Sequence, residues 1–115
     1  MKHDMVRLTN LAKINVNYRR VIDTGLSQSV VMHLIPGEDI PSEIHEDNVQ
    51  LLYVVEGRAH LEVDGREYQL ASDEFISIPM GVSHYVANRG RYPLKLISIY
   101  TPPEHDSKRI DYRKP

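Results

Sequence analysis

The chain has 115 residues, a net charge of −2 and no cysteine, and 41% of its residues are hydrophobic. That is one domain with one modest core, with no disulfide framework and no thiolate metal site. The near-neutral charge gives no electrostatic footprint for nucleic acid. No segment approaches the roughly 20 apolar residues of a membrane span. The first residues, Met1 to Arg7, lack the apolar stretch of a signal peptide. The expectation is a soluble, cytoplasmic protein with neither nucleic-acid nor membrane partners.

Residues 1–27 read as an N-terminal arm, in which Val6, Leu8, Leu11 and Ile14 suit either a short helix or an extended segment. From residue 28 the chain becomes short strands punctuated by turns. Gln28 to Ile35 is apolar and β-branched, and Pro36-Gly37 ends it. Gln50 to Val55 is an apolar run closed by Glu56-Gly57. Arg58 to Val63 alternates, with Ala59, Leu61 and Val63 on one face and Arg58, His60 and Glu62 on the other. Asp64-Gly65 is a hairpin turn of the I′ kind. Glu67 to Leu70, Phe75 to Ile78, His84 to Ala87 and Leu94 to Tyr100 follow as strands. Residues 102–115 form a polar, proline-bearing tail expected to be loosely attached. Even spacing of many strands predicts an all-β, antiparallel sandwich or jelly roll over residues 28–101.

Alternation also assigns the interior. Lys95 is expected to face water, which turns Leu94, Leu96, Ser98 and Tyr100 inward, with Gln28, Met32 and Leu52 beside them. Met32, Leu52 and Tyr100 are therefore the expected lining for a bound organic molecule. No Arg or Lys is clearly placed inside, although Arg19 and Arg20 are within reach from the arm. The run Leu51 to Val55 is apolar on both faces, and a second copy of the chain is its simplest cover, which predicts a homodimer. His60, His33 and His3 read as bland; His105 follows Pro102-Pro103-Glu104 and reads first as a solvated tail histidine, with folding over the pocket mouth as the alternative.

Two clusters carry the chemistry. The first is Gly37-x5-Glu43-x-His45-x4-Gln50-x6-Gly57, and the second is Asp73-x5-Pro79-x-Gly81-x2-His84-x3-Asn88. Glu43 and His45 share a face in an extended segment, Gln50 opens the next strand, and His84 follows a Pro-Gly turn. All four side chains carry atoms suited to a first-row divalent ion.

Both spacings resemble the two motifs of the cupin superfamily, G-x5-H-x-H-x3,4-E-x6-G and G-x5-P-x-G-x2-H-x3-N. The resemblance spans residues 28–101, and the segment from Leu96 to His105 is similar to the end of small single-domain cupins, often labelled mannose-6-phosphate isomerase-like. It implies an antiparallel double-stranded β-helix, a cupin-like barrel, whose Glu43, His45, Gln50 and His84 hold one divalent metal ion: Fe, Mn, Ni, Co or Zn. Glu43 replaces the family's first His, Gln50 its Glu, and Asp73 the first Gly of the second motif. The functions this leaves are metal-dependent isomerase, decarboxylase or dioxygenase-type chemistry on a small molecule, non-catalytic binding or sensing of such a ligand, and a structural dimer with a vestigial site.

Overall fold

A computed structural model describes residues 5–115, with the side chain of Asp23 excepted; His3 lies outside the described residues. A short helix, α1 (Leu8–Ile14), precedes ten strands. These are β1 (Arg19–Thr24), β2 (Gln28–Leu34), β3 (Asp39–Ile44), β4 (Val49–Glu56), β5 (Ala59–Val63), β6 (Arg66–Leu70), β7 (Phe75–Ile78), β8 (Ser83–Ala87), β9 (Leu94–Thr101) and β10 (Ile110–Asp111). They form two antiparallel sheets, ordered β10-β1-β2-β9-β4-β7 and β3-β8-β5-β6. This is the jelly-roll, double-stranded β-helix architecture that the strand pattern predicts.

The core lies between the sheets and follows from period-2 alternation. In β4, Gln50, Leu52 and Val54 are buried while Leu51, Tyr53 and Val55 are half-buried. Val30, Met32, Leu34, Leu52, Val54, Leu94 and Leu96 of the larger sheet meet Ile40, Ala59, Leu61, Val63, Leu70 and Val86 of the smaller one. The β5–β6 hairpin closes on Asp64-Gly65, both at positive φ (52° and 76°), as a type I′ turn requires.

The outer face of the larger sheet is covered from within the chain. Leu8 and Ala12 of α1 pack with Val31, Ile97, Ile22, Tyr53, Val55 and Ile99. The apolar outer side of β4 is thus met by α1, and a second subunit is not required to cover it. The inward side of α1 is Ala12, buried, with half-buried Leu8 one turn before it; Ile14 is 72% exposed. Lys95 does project from the outer side of β9, as expected, but it does not face water. It is 9% exposed, and its Nζ donates to the carbonyls of Lys13 and Asn15. It thereby satisfies orphan carbonyls at the end of α1.

Both chain ends join the fold. β1 lies within the expected arm and pairs with β2, setting Arg19 opposite Met32. Cross-strand partners share a face, so Arg19 points inward and is only 6% exposed. The tail, expected to be loose, adds β10 beside β1. Asp111 takes an ion pair from Arg19. The Gln28 side chain, fully buried, fastens the tail further: Oε1 accepts from the Glu104 and His105 N–H groups (3.2 and 2.8 Å), and Nε2 donates to the His105 carbonyl (2.7 Å). Sequence alternation turns Gln28 inward but names no partner for it, because those partners lie 76 and 77 residues away.

Gly57 has a backbone reason for being glycine. Its φ is +89°, and a Cβ there would lie 2.6 Å from the Pro93 carbonyl oxygen and 3.1 Å from Leu94 Cα. Gly57→Ala is expected to cost at least about 1–3 kcal/mol, read as a lower urea midpoint with an unchanged m-value.

Candidate metal centre at the barrel mouth

Strand register brings the first two side chains together. Glu43 of β3 is directly paired with His84 of β8, so their side chains stand side by side on one face. A register shift between Ile40 and Glu43 sets that phase. His45 follows β3 by one residue and returns to the same space, its ring 4.9 Å from the His84 ring. One donor atom each from Glu43, His45 and His84 lies within 4.8 Å of the others. Gln50 opens the buried side of β4 and is paired across the ladder with Tyr100. Tyr100 in turn stands edge-on to His45 at 5.6 Å.

The hydrogen-bond pattern shows what these side chains lack. His84 Nδ1 is 3.1 Å from the Val82 carbonyl, which orients the ring and leaves Nε2 as its free nitrogen. His45 Nδ1 is 3.1 Å from Glu104 Oε1, and Glu104 is itself held by the Asn48 amide at 2.6 Å. His45 Nε2 lies 3.0 Å from Glu43 Oε2, yet it has no properly angled hydrogen-bond partner among the described residues. Two ligand atoms at about 2.1 Å from a common ion and at right angles to each other are separated by about 3.0 Å. The 3.0 Å separation of His45 Nε2 and Glu43 Oε2 matches that spacing. Gln50 donates through Nε2 to Ser98 Oγ at 3.2 Å, while its Oε1 is buried without a partner. Two buried atoms without a hydrogen bond, Gln50 Oε1 and, in the neutral ring, His45 Nε2, fit a cation. A ring nitrogen backed by a carboxylate on the other nitrogen is the usual support of a metal-bound imidazole.

Charge follows the same geometry. Contact with the Glu43 carboxylate raises the His45 pKa against the opposing effect of burial, with Glu104 adding to the rise. Contact with His45 lowers that of Glu43. Burial lowers His84, favouring the neutral ring a metal needs. Burial also pushes the Tyr100 phenol far up, so it stays protonated at neutral pH. Burial, helped by Arg19 and Arg109, brings His105 down to about 4.

A cavity of about 460 Å³ opens beside this cluster, lined by Glu43, Ile44, His45, Glu104, His105, Asp106 and Arg109. None of the three residues expected to line a ligand space lines this cavity; Tyr100 comes nearest, packed behind its wall between the rings of His45 and His105. Met32 and Leu52, at 1% and 0% exposure, lie in the apolar core and do not line this cavity. His105 is not a solvated tail residue: it lines the cavity and packs on Tyr100. Glu104, Asn48 and Arg109 were not legible in the sequence, since no local pattern marks residues whose partners sit on distant strands. His60, read as bland, is buried at 5% and bonded through Nδ1 to Gln69 at 2.8 Å.

A double-stranded β-helix with His and carboxylate side chains gathered at its mouth defines the class. The chain belongs to the cupins: residues 30–100 match the Cupin_2 family, described as a cupin domain. It is similar to the uncharacterized protein L612 of Acanthamoeba polyphaga mimivirus, with 40% identity over 107 residues, covering 88% of this chain and 66% of that protein. It is similar too to the uncharacterized protein YrkC of Bacillus subtilis, with 37% identity, covering 88% of this chain and 58% of that protein. The chain thus spans about two thirds or less of the length of these curated relatives. Among solved structures, BH2720 from Bacillus halodurans superposes with a TM-score of 0.93 at 35% identity, covering 97% of this chain and 90% of that one.

Two outcomes follow. Glu104→Gln is expected to weaken divalent-metal affinity by about 10–100-fold without unfolding the protein, measured by competition with a chelating dye. The second concerns pH in the metal-free state. His45 has a folded pKa above its ordinary 6.5, so its contribution to stability is full below that pH and fades as pH rises through the folded value. Glu43 has a folded pKa below 4.5, so its contribution is present above that pH and fades as pH falls through the folded value. The pair therefore favours the metal-free fold most between pH 4.5 and 6.5. With chelator present, the gap in urea midpoint between the native chain and Glu43→Gln should be widest in that window and narrower at alkaline pH.

Proposed function

We propose that this chain is a cytoplasmic metal-dependent cupin that takes a small organic molecule at the barrel mouth and acts on it. The observation that carries this reading is the convergence of Glu43, His45 and His84 around buried acceptors that no hydrogen bond satisfies. Glu43, His45 and His84 make a two-His, one-carboxylate set, and Gln50 adds a neutral amide oxygen, so that first-row ions such as Fe, Mn, Ni, Co or Zn fit the donors. A bound ion of this kind supplies Lewis-acid or redox chemistry, of the sort isomerases, decarboxylases and dioxygenases use. The residues do the rest. Glu104 holds the His45 ring, Val82 holds the His84 ring, and Tyr100 offers a protonated hydroxyl and a ring wall. Met32 and Leu52 give the ring its apolar backing, and they bound the ligand space only if the interior loosens on binding.

One observation favours a second reading, a non-catalytic binding or sensing module. Both carboxylates nearest the site, Glu43 and Glu104, are engaged with His45, so neither is free to act as a general base. Protein purified without chelator should carry a stoichiometric divalent ion, and His84→Ala should lose it. Absence of any ion from the native chain, with no uptake on titration, would end both readings. Turnover of small carbonyl and hydroxy compounds by the loaded protein separates enzyme from binder.

A homodimer belongs to the same reading. The outer face of β4 is covered by α1, and the apolar side chains left for a partner copy lie on and beside edge strands β6 and β7: Tyr68, Phe75 and Met80, at 39, 59 and 56% exposure. Light scattering should give the dimer mass at micromolar concentration; a monomer mass there would refute it.

A further inference from the structure

The polar atoms left unpaired around Tyr100 are of two kinds. The acceptors, His45 Nε2 and Gln50 Oε1, suit a cation. The donors are Arg19 Nε and His105 Nε2, both sealed from solvent without a partner among the described residues. The identity of His105 Nε2 as a donor follows from its neighbour. Arg109 Nη1 lies 3.2 Å from His105 Nδ1. A guanidinium only donates, so Nδ1 accepts, and the proton of the neutral ring resides on Nε2. That tautomer is firmly set. Arg109 is itself held by Asp111, through Nε at 3.2 Å and Nη2 at 3.1 Å. The backbone on either side of the His105 ring is fastened by Gln28. The ring stands edge-on to Tyr100, with centroids 5.2 Å apart and planes at 89°. A ring edge of this sort is a weak substitute for an oxygen acceptor.

From this arrangement we infer that His105 reads the ligand: its Nε2–H, fixed by the Asp111–Arg109 chain, donates to a carboxylate of a small organic acid whose other oxygen lies on the metal side of the cavity. The inference rests on the metal-site reading proposed above and names the substrate class for it. An anion, rather than a neutral carbonyl, is favoured by the charges facing this ring. Arg19 is 6% exposed and Arg109 is in contact with His105. Asp111 is shared between the two arginines, so it cannot cancel both. Glu104 is engaged with His45 and Asn48, and Glu43 with His45. Asp106 lies on the cavity wall. Because Nε2 is sealed, a carboxylate reaches it only when the strap formed by residues 104–109 lifts and recloses, and the Gln28 bonds are the fastening that must open.

The test uses the full chain loaded with divalent metal and titrated calorimetrically with glycolate, its amide glycolamide, and inorganic phosphate. Glycolate should bind and glycolamide should bind at least about 10-fold more weakly, the scale of one charge-assisted hydrogen bond. His105→Phe, which keeps the packing against Tyr100 but removes the donor, should weaken glycolate by about the same factor and leave metal affinity unchanged. His105→Gln, which retains an N–H donor, should recover part of the loss. In ¹⁵N-labelled protein the His105 Nε2–H signal should shift on adding glycolate. Equal binding of acid and amide, native affinity in His105→Phe, loss of metal in that variant, or an unmoved Nε2–H signal would each overturn the inference. Binding of phosphate with this His105 dependence, and not of glycolate, would overturn the carboxylate assignment in favour of a phosphoryl group. Failure of the native chain to take up metal would instead overturn the metal-site reading, and the Nε2–H signal would still test His105 in the metal-free protein.

Discussion

The register of the β2–β9–β4 ladder is the constraint on which everything else in this protein rests. It aligns Met32 with Leu96 and Val54, and Val30 with Ser98 and Leu52. One further row, at the end of the ladder, sets Gln28, Tyr100 and Gln50 side by side. The first rows are the floor of the barrel and the last is its mouth. A slip of one residue would turn Gln28, Tyr100 and Gln50 out to the surface and bring Ser29 and Ile99 inward. The apolar rows make such a slip prohibitive, so the polar row is placed by hydrophobic burial that occurs elsewhere along the same strands.

The mouth is where the fold departs from full satisfaction of its polar atoms. Native interiors pair nearly all buried donors and acceptors. Here several unpaired atoms are gathered around one ring, Tyr100, with acceptors from His45 and Gln50 and donors from His105 and Arg19. Single unpaired atoms occur elsewhere, at His33 Nε2 and His60 Nε2, but other buried polar groups are paired: Asn88 Nδ2 donates to the carbonyls of Leu34 and Tyr92, and Lys95 caps α1. Several unpaired polar atoms meeting in one cluster, rather than standing singly, are characteristic of a site built for something other than itself.

The tail completes this site rather than trailing from it. Glu104 reaches His45, His105 packs on Tyr100, and Arg109 and Asp111 tie both to β1. The single glutamine that holds the strap, Gln28, uses both ends of its amide. The strap thus contributes a wall of the cavity and the support of the His45 ring, and both are fastened through one side chain.

Strands β2 and β4 to β9, the I′ turn at Asp64-Gly65 and the inward faces of β2, β4 and β9 were determined by the sequence itself, because alternation and turn chemistry act over a few residues, whereas β1, β3 and β10 were not. The motif spacing also marked Glu43, His45, Gln50 and His84 as candidates for one place, although their role as ligands is a proposal and not something spacing can demonstrate. What only the tertiary structure decided depends on distant partners. The outer face of β4 is covered by α1, Lys95 is drawn into a helix end, Arg19 points inward because it stands opposite Met32, and Glu104 backs His45. None of these has a local signature. Each is a meeting of segments dozens of residues apart, made favourable only once the apolar rows have closed and water has been excluded between them.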